Sequence, residues 1–149
     1  IISYGPLNKG IGKLSNLVEL DISNDIFGSL TRLKVFSAES NSFTGQLPAS
    51  LVNSPSLKML IMNNNSLSGS INLNCSAMKN LTSLGLGSNQ FHVPIPRNLS
   101  GCLRLEAINL ARNHINGGVP VTLKNLQSLT RLSLSDTSLH NLSATLEVL

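Results

Sequence analysis

A spacing of 24 residues is the feature that most constrains how this chain can fold. The pattern Leu-x-x-Leu-x-Leu-x-x-Asn, with other apolar residues allowed at the second and third leucines, recurs along nearly the whole sequence. Its copies begin at Leu17, Leu33, Leu57, Leu81, Leu105 and Leu129, with a spacing of 16 and then of 24 four times. The Asn is present in the four regular copies, those from Leu33 to Leu105. A unit this short cannot bury its own apolar face, so successive units must stack on one another.

Within each unit the alternation of residues predicts a short strand. Alternate side chains of a strand point to opposite faces, so positions 4 and 6, Leu60 and Met62 in the copy from Leu57, are expected in the core. Positions 3, 5, 7 and 8 then lie on the exposed face. The Asn at position 9, such as Asn65, is expected to bond the backbone of its own turn and of the neighbouring turn, as a stacked ladder.

A second segment follows the Asn, and its best copies are Phe43-Thr-Gly-Gln-Leu-Pro48 and Ile115-Asn-Gly-Gly-Val-Pro120. Gly allows a positive φ at a tight bend, and Pro ends a strand because it has no N–H. This form resembles plant extracellular leucine-rich repeats. The predicted fold is an α/β-type solenoid with a parallel β-sheet on the concave face and 3-10 or irregular turns on the convex face. Val93 replaces the Gly in one unit, where we expect an altered bend but an intact repeat.

The repeat frame divides the chain into unequal units. We expect a partial repeat 1–16, a short repeat 17–32, regular repeats 33–56, 57–80, 81–104 and 105–128, and an atypical incomplete repeat 129–149. The short repeat lacks the Gly-x-Ile-Pro segment, and Thr137 replaces Asn in the last one. Because the chain begins within a repeat, we expect it to be a segment of a longer protein.

Composition excludes several functions. The net charge of +4 includes no basic run, so nucleic-acid binding is not expected, and no apolar stretch is long enough to span a membrane. His92, His114 and His140 occupy turns of separate repeats without further ligands at metal-site spacing, so neither a metal nor another cofactor is expected. No catalytic constellation is present, so this chain is not expected to be an enzyme.

Cys75 and Cys102 occupy positions 19 and 22 of neighbouring repeats. Because these positions are out of register, two small buried thiols are favoured over a mutual disulfide. The Asn-x-Ser/Thr motif predicts N-glycosylation of an extracellular protein. Its five acceptors are Asn64, Asn74, Asn80, Asn98 and Asn141. Of these, Asn64 is the least expected to carry a glycan, since it is assigned to the concave strand.

The concave positions change character along the array. They are apolar at Met59 and Ile61, small at Gly85 and Gly87, and hydrogen-bonding or cationic further on. The small residues would let an extended peptide lie close to the sheet. Candidate donors to such a peptide are Asn109, Ser133 and Ser135, and Arg112 and Arg131 are candidates for binding an anionic group.

Several segments give a closer resemblance, to the phytosulfokine receptors, which are plant leucine-rich-repeat receptor kinases. They are Leu14-Ser-Asn-Leu17, Phe36-Ser-Ala-Glu-Ser-Asn41, Leu67 to Met78 with its Asn-Leu-Asn-Cys-Ser-Ala-Met ending, and Ser128 to Ala144. The resemblance implies binding of a tyrosine-sulfated pentapeptide hormone, with Asn109, Ser133 and Ser135 as contacts. Asn63 stands where that family has an Arg, and it is a further candidate contact.

The resemblance also implies a parent protein with serine/threonine kinase activity. That parent would lie at the extracellular face of the plasma membrane as a single-pass receptor and would pair with a leucine-rich-repeat co-receptor kinase. Two alternatives remain. The chain could come from a defence-type repeat protein, either a receptor-like protein or an inhibitor of cell-wall-degrading enzymes, or from a non-functional gene fragment.

Overall fold

The computed structural model describes residues 4–6, 19–21 and 33–140, with side-chain environments for 33–140. Short strands dominate the described chain. They are β1 Tyr4–Pro6, β2 Glu19–Asp21, β3 Val35–Ser37, β4 Ser42–Gly45, β5 Met59–Ile61, β6 Ser66–Leu67, β7 Ser83–Gly85, β8 Ala107–Asn109 and β9 Arg131–Ser133. One short α-helix, α1 Ala49–Val52, and two 3-10 helices, Arg97–Gly101 and Val121–Asn125, lie between them.

Six of these strands form one parallel sheet in the order β2-β3-β5-β7-β8-β9. From β3 onward each strand pairs with residues 24 positions later, for example Met59 with Ser83 and Ser83 with Ala107. Strand β2 pairs with β3 at an offset of 16, Glu19 with Val35. The parallel sheet and its 24-residue register confirm the predicted leucine-rich-repeat solenoid.

The core follows from the alternation of strand side chains. Position 4 of each regular repeat points inward, and these residues are fully or almost fully buried. They are Phe36, Leu60, Leu84 and Ile108. The leucines that begin the repeats, Leu33 to Leu105, have no exposed surface at all. A single apolar cluster therefore runs along the solenoid, each layer covered by the layer of the next repeat.

The asparagine ladder is the polar counterpart of this core. Asn89 Nδ2 donates to the carbonyl oxygens of Met62 (3.0 Å) and Leu86 (3.0 Å), and Asn89 Oδ1 accepts from the Leu67 N–H (2.9 Å). Asn65 and Asn113 make the same set of bonds in their own repeats. Each amide thus satisfies backbone groups in two turns, and Asn89 and Asn113 are themselves buried, which confirms the predicted ladder.

A second, smaller sheet is formed by the segment that precedes Gly-x-Ile-Pro. Its order is β1-β4-β6, so β1 pairs directly with β4, Tyr4 beside Ser42. The short repeat between them contributes a strand to the concave sheet and none of its described residues to this one. At Val93, where the Gly is replaced, no strand of this sheet is formed, yet Phe91 and Ile95 stay buried. The repeat is intact there, as expected.

Prolines organise the convex side. Pro48, Pro96 and Pro120 each precede a helical turn, with φ between −62° and −72°. The ring fixes φ near the helical value, and the missing N–H would have had no partner in a first turn. The convex face is therefore built of single short turns, as predicted from the repeat type.

The structure overturns the expectation for the two cysteines, because Cys75 and Cys102 form a disulfide with their Cα atoms 4.7 Å apart. The residue stacked 24 positions above Cys75 is Leu99, whose carbonyl oxygen faces the Cys75 sulfur at 3.7 Å. Residues three apart in a 3-10 helix lie on the same side, so one turn carries Cys102 back over Cys75. A side chain on Gly101 would crowd the bridge, at 3.3 Å from Cys75 Cβ.

The expected placement of position 8 on the concave strand is also wrong. These residues follow the strands and adopt left-handed backbone conformations, with φ between 54° and 57°. They are Ser40, Asn64, Ser88, Arg112 and Asp136. They turn the chain out of the sheet at the corner of each repeat, so their side chains leave the concave face.

Some sequence predictions lie outside the described residues. They are the sequon Asn141, the loops of the partial and short repeats, and the end of the last repeat, 141–149.

Candidate ligand-binding site

A groove of roughly 640 Å³ crosses the concave sheet. Strands β5, β7, β8 and β9 form its floor, and the residues lining it come mainly from positions 3, 5 and 7 of successive repeats. Those lining residues are Glu39, Met59, Ile61, Asn63, Ser83, Leu84, Gly85, Ala107, Ile108, Asn109, Thr130, Arg131, Leu132 and Ser133. Of the predicted ligand contacts, the groove gathers Asn63, Asn109, Arg131 and Ser133.

The end of the groove nearest β5 is apolar. Met59 is 37% exposed, whereas the other two methionines, Met62 and Met78, are fully buried. Ile61 lies beside it, half-buried, two residues along the same face of the strand. Together they offer a surface on which an apolar ligand side chain can be removed from water.

The middle of the groove differs from the open strip that the sequence predicted. Gly85 and Gly87 are buried, because the side chains of Asn63 and Asn109 lie across them. Asn109 Nδ2 donates to Asn63 Oδ1 at 3.3 Å, and Asn63 Oδ1 also accepts from the Gly87 N–H at 2.9 Å. The small residues therefore make room for two amide side chains, and a ligand would rest on the amides and not on the glycine backbone.

The end nearest β9 is cationic and polar. Arg131 and Ser133 are exposed on the strand, and Thr130 lies beside them. Among the described carboxylates none forms an ion pair with Arg131. Its guanidinium is therefore available to an anionic group of a ligand, for which it has the fork geometry.

Two predicted contacts lie elsewhere. Arg112 is at a corner position and pairs with Asp136, Nε to Oδ2 at 3.5 Å, with both side chains largely exposed. Ser135 does not line the groove. Glu39, in contrast, lines the groove but was not predicted from the sequence. It occupies position 7 of its repeat, as Asn63 does, so the repeat periodicity could have identified it.

The sequons fall into two groups. Asn74, Asn80 and Asn98 line a second groove, of roughly 860 Å³, beside the disulfide on the convex side. Asn64 is exposed at its corner after β5, with Nδ2 bonded to Ser40 Oγ (3.2 Å), and does not lie on the concave strand where it was expected. Any glycans on the convex group would leave the concave groove open.

Nowhere in the described part do three His, Cys, Asp or Glu side chains come together as a metal site requires. None of the helices described there has the length and hydropathy to cross a membrane.

Comparison with known proteins agrees with this architecture. The sequence profile of leucine-rich repeats matches residues 79–139. No curated protein sequence shows a significant match. With the structural evidence above, the chain is established as a leucine-rich-repeat solenoid.

Several solved structures are similar over most of this chain. The ectodomain of the Arabidopsis thaliana membrane receptor kinase GASSHO1/SCHENGEN3, in complex with CASPARIAN STRIP INTEGRITY FACTOR 2, is 29% identical with a TM-score of 0.79, covering 91% of this chain and 17% of that one. The plant peptide hormone receptor RGFR1, in complex with RGF2, is 31% identical with a TM-score of 0.79, covering 87% and 22%.

A third similar structure contains a second receptor as well as a peptide. It is the Arabidopsis receptor kinase HAESA with the peptide hormone IDA and the co-receptor SERK1, 25% identical with a TM-score of 0.76, covering 92% of this chain and 26% of that one. This chain thus spans about a fifth of the length of the receptor ectodomains it resembles. The leucine-rich-repeat ectodomain fold of these structures is non-catalytic.

Proposed function

We propose that this chain is an extracellular ligand-recognition segment of a plant receptor kinase and that its concave sheet binds a small tyrosine-sulfated peptide hormone. The groove on the concave sheet, apolar at one end and cationic at the other, is the observation that carries the proposal. The peptide complexes of three similar ectodomains support it.

The dimensions of the groove suit a peptide of about five residues. Neighbouring strands lie about 4.8 Å apart, so the four intervals from Glu39, which follows β3, to Ser133 on β9 span roughly 19 Å. An extended chain advances about 3.3 Å per residue, which gives roughly 17 Å for a pentapeptide. Such a ligand would cross the strands and touch every repeat that lines the groove.

The chemistry of the two ends sets an orientation. An apolar side chain of the peptide would pack on Met59 and Ile61, and a sulfate would bind the guanidinium of Arg131. Ser133, two residues after Arg131 on β9, and Asn109, its neighbour on β8, would add hydrogen bonds. Glu39 lies at the apolar end and would repel an anion placed there, so the reverse orientation is disfavoured.

The proposal extends to the longer protein from which this segment would come. That parent protein would be a single-pass serine/threonine receptor kinase at the plasma membrane that pairs with a leucine-rich-repeat co-receptor kinase. Asn74, Asn80, Asn98, Asn64 and Asn141 would be its glycosylation acceptors. The disulfide between Cys75 and Cys102 supports an extracellular location, because such bonds persist in oxidising compartments.

Titration of the secreted chain with a tyrosine-sulfated pentapeptide and with its unsulfated form is the test. We expect the sulfated form to bind at least about tenfold more tightly, since a charge-assisted bond to Arg131 is lost without the sulfate. An Asn109→Ala/Ser133→Ala variant should lose binding of both forms. The matched control Asn116→Ala/Ser138→Ala, in which the same residue types are removed from an exposed flank, should bind as the wild type does.

Equal affinities for the two peptides would refute the sulfated ligand. Normal binding by the Asn109→Ala/Ser133→Ala variant would refute the groove itself.

A further inference from the structure

The contact between Asn63 and Asn109 joins repeats that are not neighbours in the solenoid. Asn63 follows the end of β5 by two residues and Asn109 is the last residue of β8, so the two are 46 positions apart with the repeat of β7 between them. Parallel strands lie about 4.8 Å apart, so side chains two strands apart meet only if the residues between them leave space. Here a Cβ on Gly85 would lie 2.9 Å from Asn63 Nδ2, and a Cβ on Gly87 would lie 2.8 Å from Asn109 Oδ1. Both glycines are required for the pair to form.

The hydrogen bonds of the pair determine which atoms are left for a ligand. Asn63 Oδ1 accepts from the Gly87 N–H, and Asn109 Oδ1 accepts from the Ala111 N–H at 3.1 Å. A backbone N–H can only donate, so these two bonds fix the orientation of both amides. Asn63 Oδ1 accepts a second bond from Asn109 Nδ2.

Asn63 Oδ1 therefore has both lone pairs engaged, whereas Asn109 Oδ1 accepts one bond and keeps one lone pair. The rest of the unused capacity of the pair consists of N–H groups. No acceptor among the described residues takes a bond from Asn63 Nδ2, and Asn109 Nδ2 has a second hydrogen beyond the one given to Asn63. The amide pair lines the groove midway between Met59 and Arg131. At this point the pair presents more free donors than free acceptors.

We propose that the Asn63–Asn109 pair is a subsite that selects a hydrogen-bond acceptor, a main-chain carbonyl oxygen of the bound peptide. This inference rests on the proposed function. An extended peptide lying across the pair presents main-chain carbonyl oxygens, and the excess of N–H groups favours an acceptor at this point. The pair fixes the position of the peptide along the groove. That position places one peptide side chain beside Arg131, which selects it by charge.

The test replaces the side-chain NH₂ donor of Asn63 by a carboxylate acceptor with little change of shape. In Asn63→Asp one carboxylate oxygen can still accept from the Gly87 N–H and from Asn109, while the donor is lost. We expect binding of both the sulfated and the unsulfated pentapeptide to weaken by about tenfold. Asn64→Asp makes the same change of charge at the next residue, on the corner outside the groove, and should bind both peptides as the wild type does.

Pentapeptides in which one carbonyl oxygen at a time is replaced by sulfur, a poorer acceptor, identify the bonded carbonyl. One position should weaken binding to the wild type and have no further effect on Asn63→Asp, as expected for two groups that bond each other. The same series on the wild-type chain alone tests the subsite if Asn63→Asp fails to fold.

Three results would count against the inference. Equal affinities of Asn63→Asp and wild type would overturn the subsite and leave the proposed function standing. A sulfur series in which no position weakens binding to the wild type would do the same. Failure of the wild-type chain to bind either peptide would overturn the proposed function, and this inference with it.

Discussion

The regular repeats 57–128 and the repeat that begins at Leu129 share one strand register but differ in how completely their core side chains are buried. Leu84 in a regular repeat is 1% exposed, whereas Leu132 at the same position of the last repeat is only partly buried. Strand pairing with the preceding repeat is the same in both. The two regions therefore share their strand register and differ in the burial of the core position.

The ladder shows the same contrast. Asn89 makes hydrogen bonds into two turns, while Thr137 at the equivalent position donates one, from Oγ1 to the Leu134 carbonyl oxygen at 2.8 Å. A hydroxyl has one hydrogen and cannot replace an amide that donates several bonds and also accepts one. The last described repeat is thus held by its strand more than by its side chains.

The largest expected effect comes from truncating the core in the two regions. Leu84→Ala should lower the free energy of unfolding by about 2–5 kcal/mol, because it removes buried methyl groups and leaves a cavity. Leu132→Ala should cost about 1 kcal/mol, since its side chain is already partly hydrated and less area is lost. Urea denaturation followed by circular dichroism measures both. Equal losses would show that the last repeat is as well covered as the others.

A smaller effect is expected from the ladder. Asn89→Ala should destabilise the chain by about 2–4 kcal/mol, because it leaves buried backbone carbonyls and the Leu67 N–H without partners. Thr137→Ala should cost less than about 1 kcal/mol, as one bond in a half-exposed site is lost. The same denaturation experiment compares them, with Ser138→Ala as an exposed control. The ladder would lose its assigned role if Asn89→Ala proved as mild as Thr137→Ala.

The smallest effect concerns the ion pair that joins the two regions. Arg112 and Asp136 are 74% and 71% exposed, so water and salt screen their attraction. Arg112→Ala should change stability by less than about 0.5 kcal/mol at physiological salt. A loss of several kcal/mol would mean that the last repeat depends on this pair, contrary to the strand-based account.

The 24-residue spacing was enough to predict the sheet, the buried positions and the asparagine ladder, because each depends on one residue type recurring in one frame. The corner positions were misplaced because the strand ends earlier than the alternation suggests, at Ile61 in the repeat from Leu57. The left-handed turn that follows is common to five repeats although four residue types occupy it, namely Ser, Asn, Arg and Asp, so no single residue type marks the position in the sequence.

Contacts between different positions of different repeats could not be predicted from the sequence. The disulfide pairs positions 19 and 22, which meet only through the rotation of a 3-10 turn. The Asn63–Asn109 contact spans two repeats and depends on the absence of side chains between them. For the candidate site, the frame predicted which positions face the groove, and the structure was needed to show which polar atoms are already engaged.

The most direct test of the central claim is to locate the bound peptide. Amide chemical shifts of the ¹⁵N-labelled chain, followed by NMR during titration with the tyrosine-sulfated pentapeptide, report binding even at millimolar affinity. The account predicts shifts at Ile61, Gly85, Asn109 and Ser133 in the concave groove, with none around the convex disulfide. Shifts centred on the convex groove near Lys79 and Arg104, or no shifts at all, would contradict it.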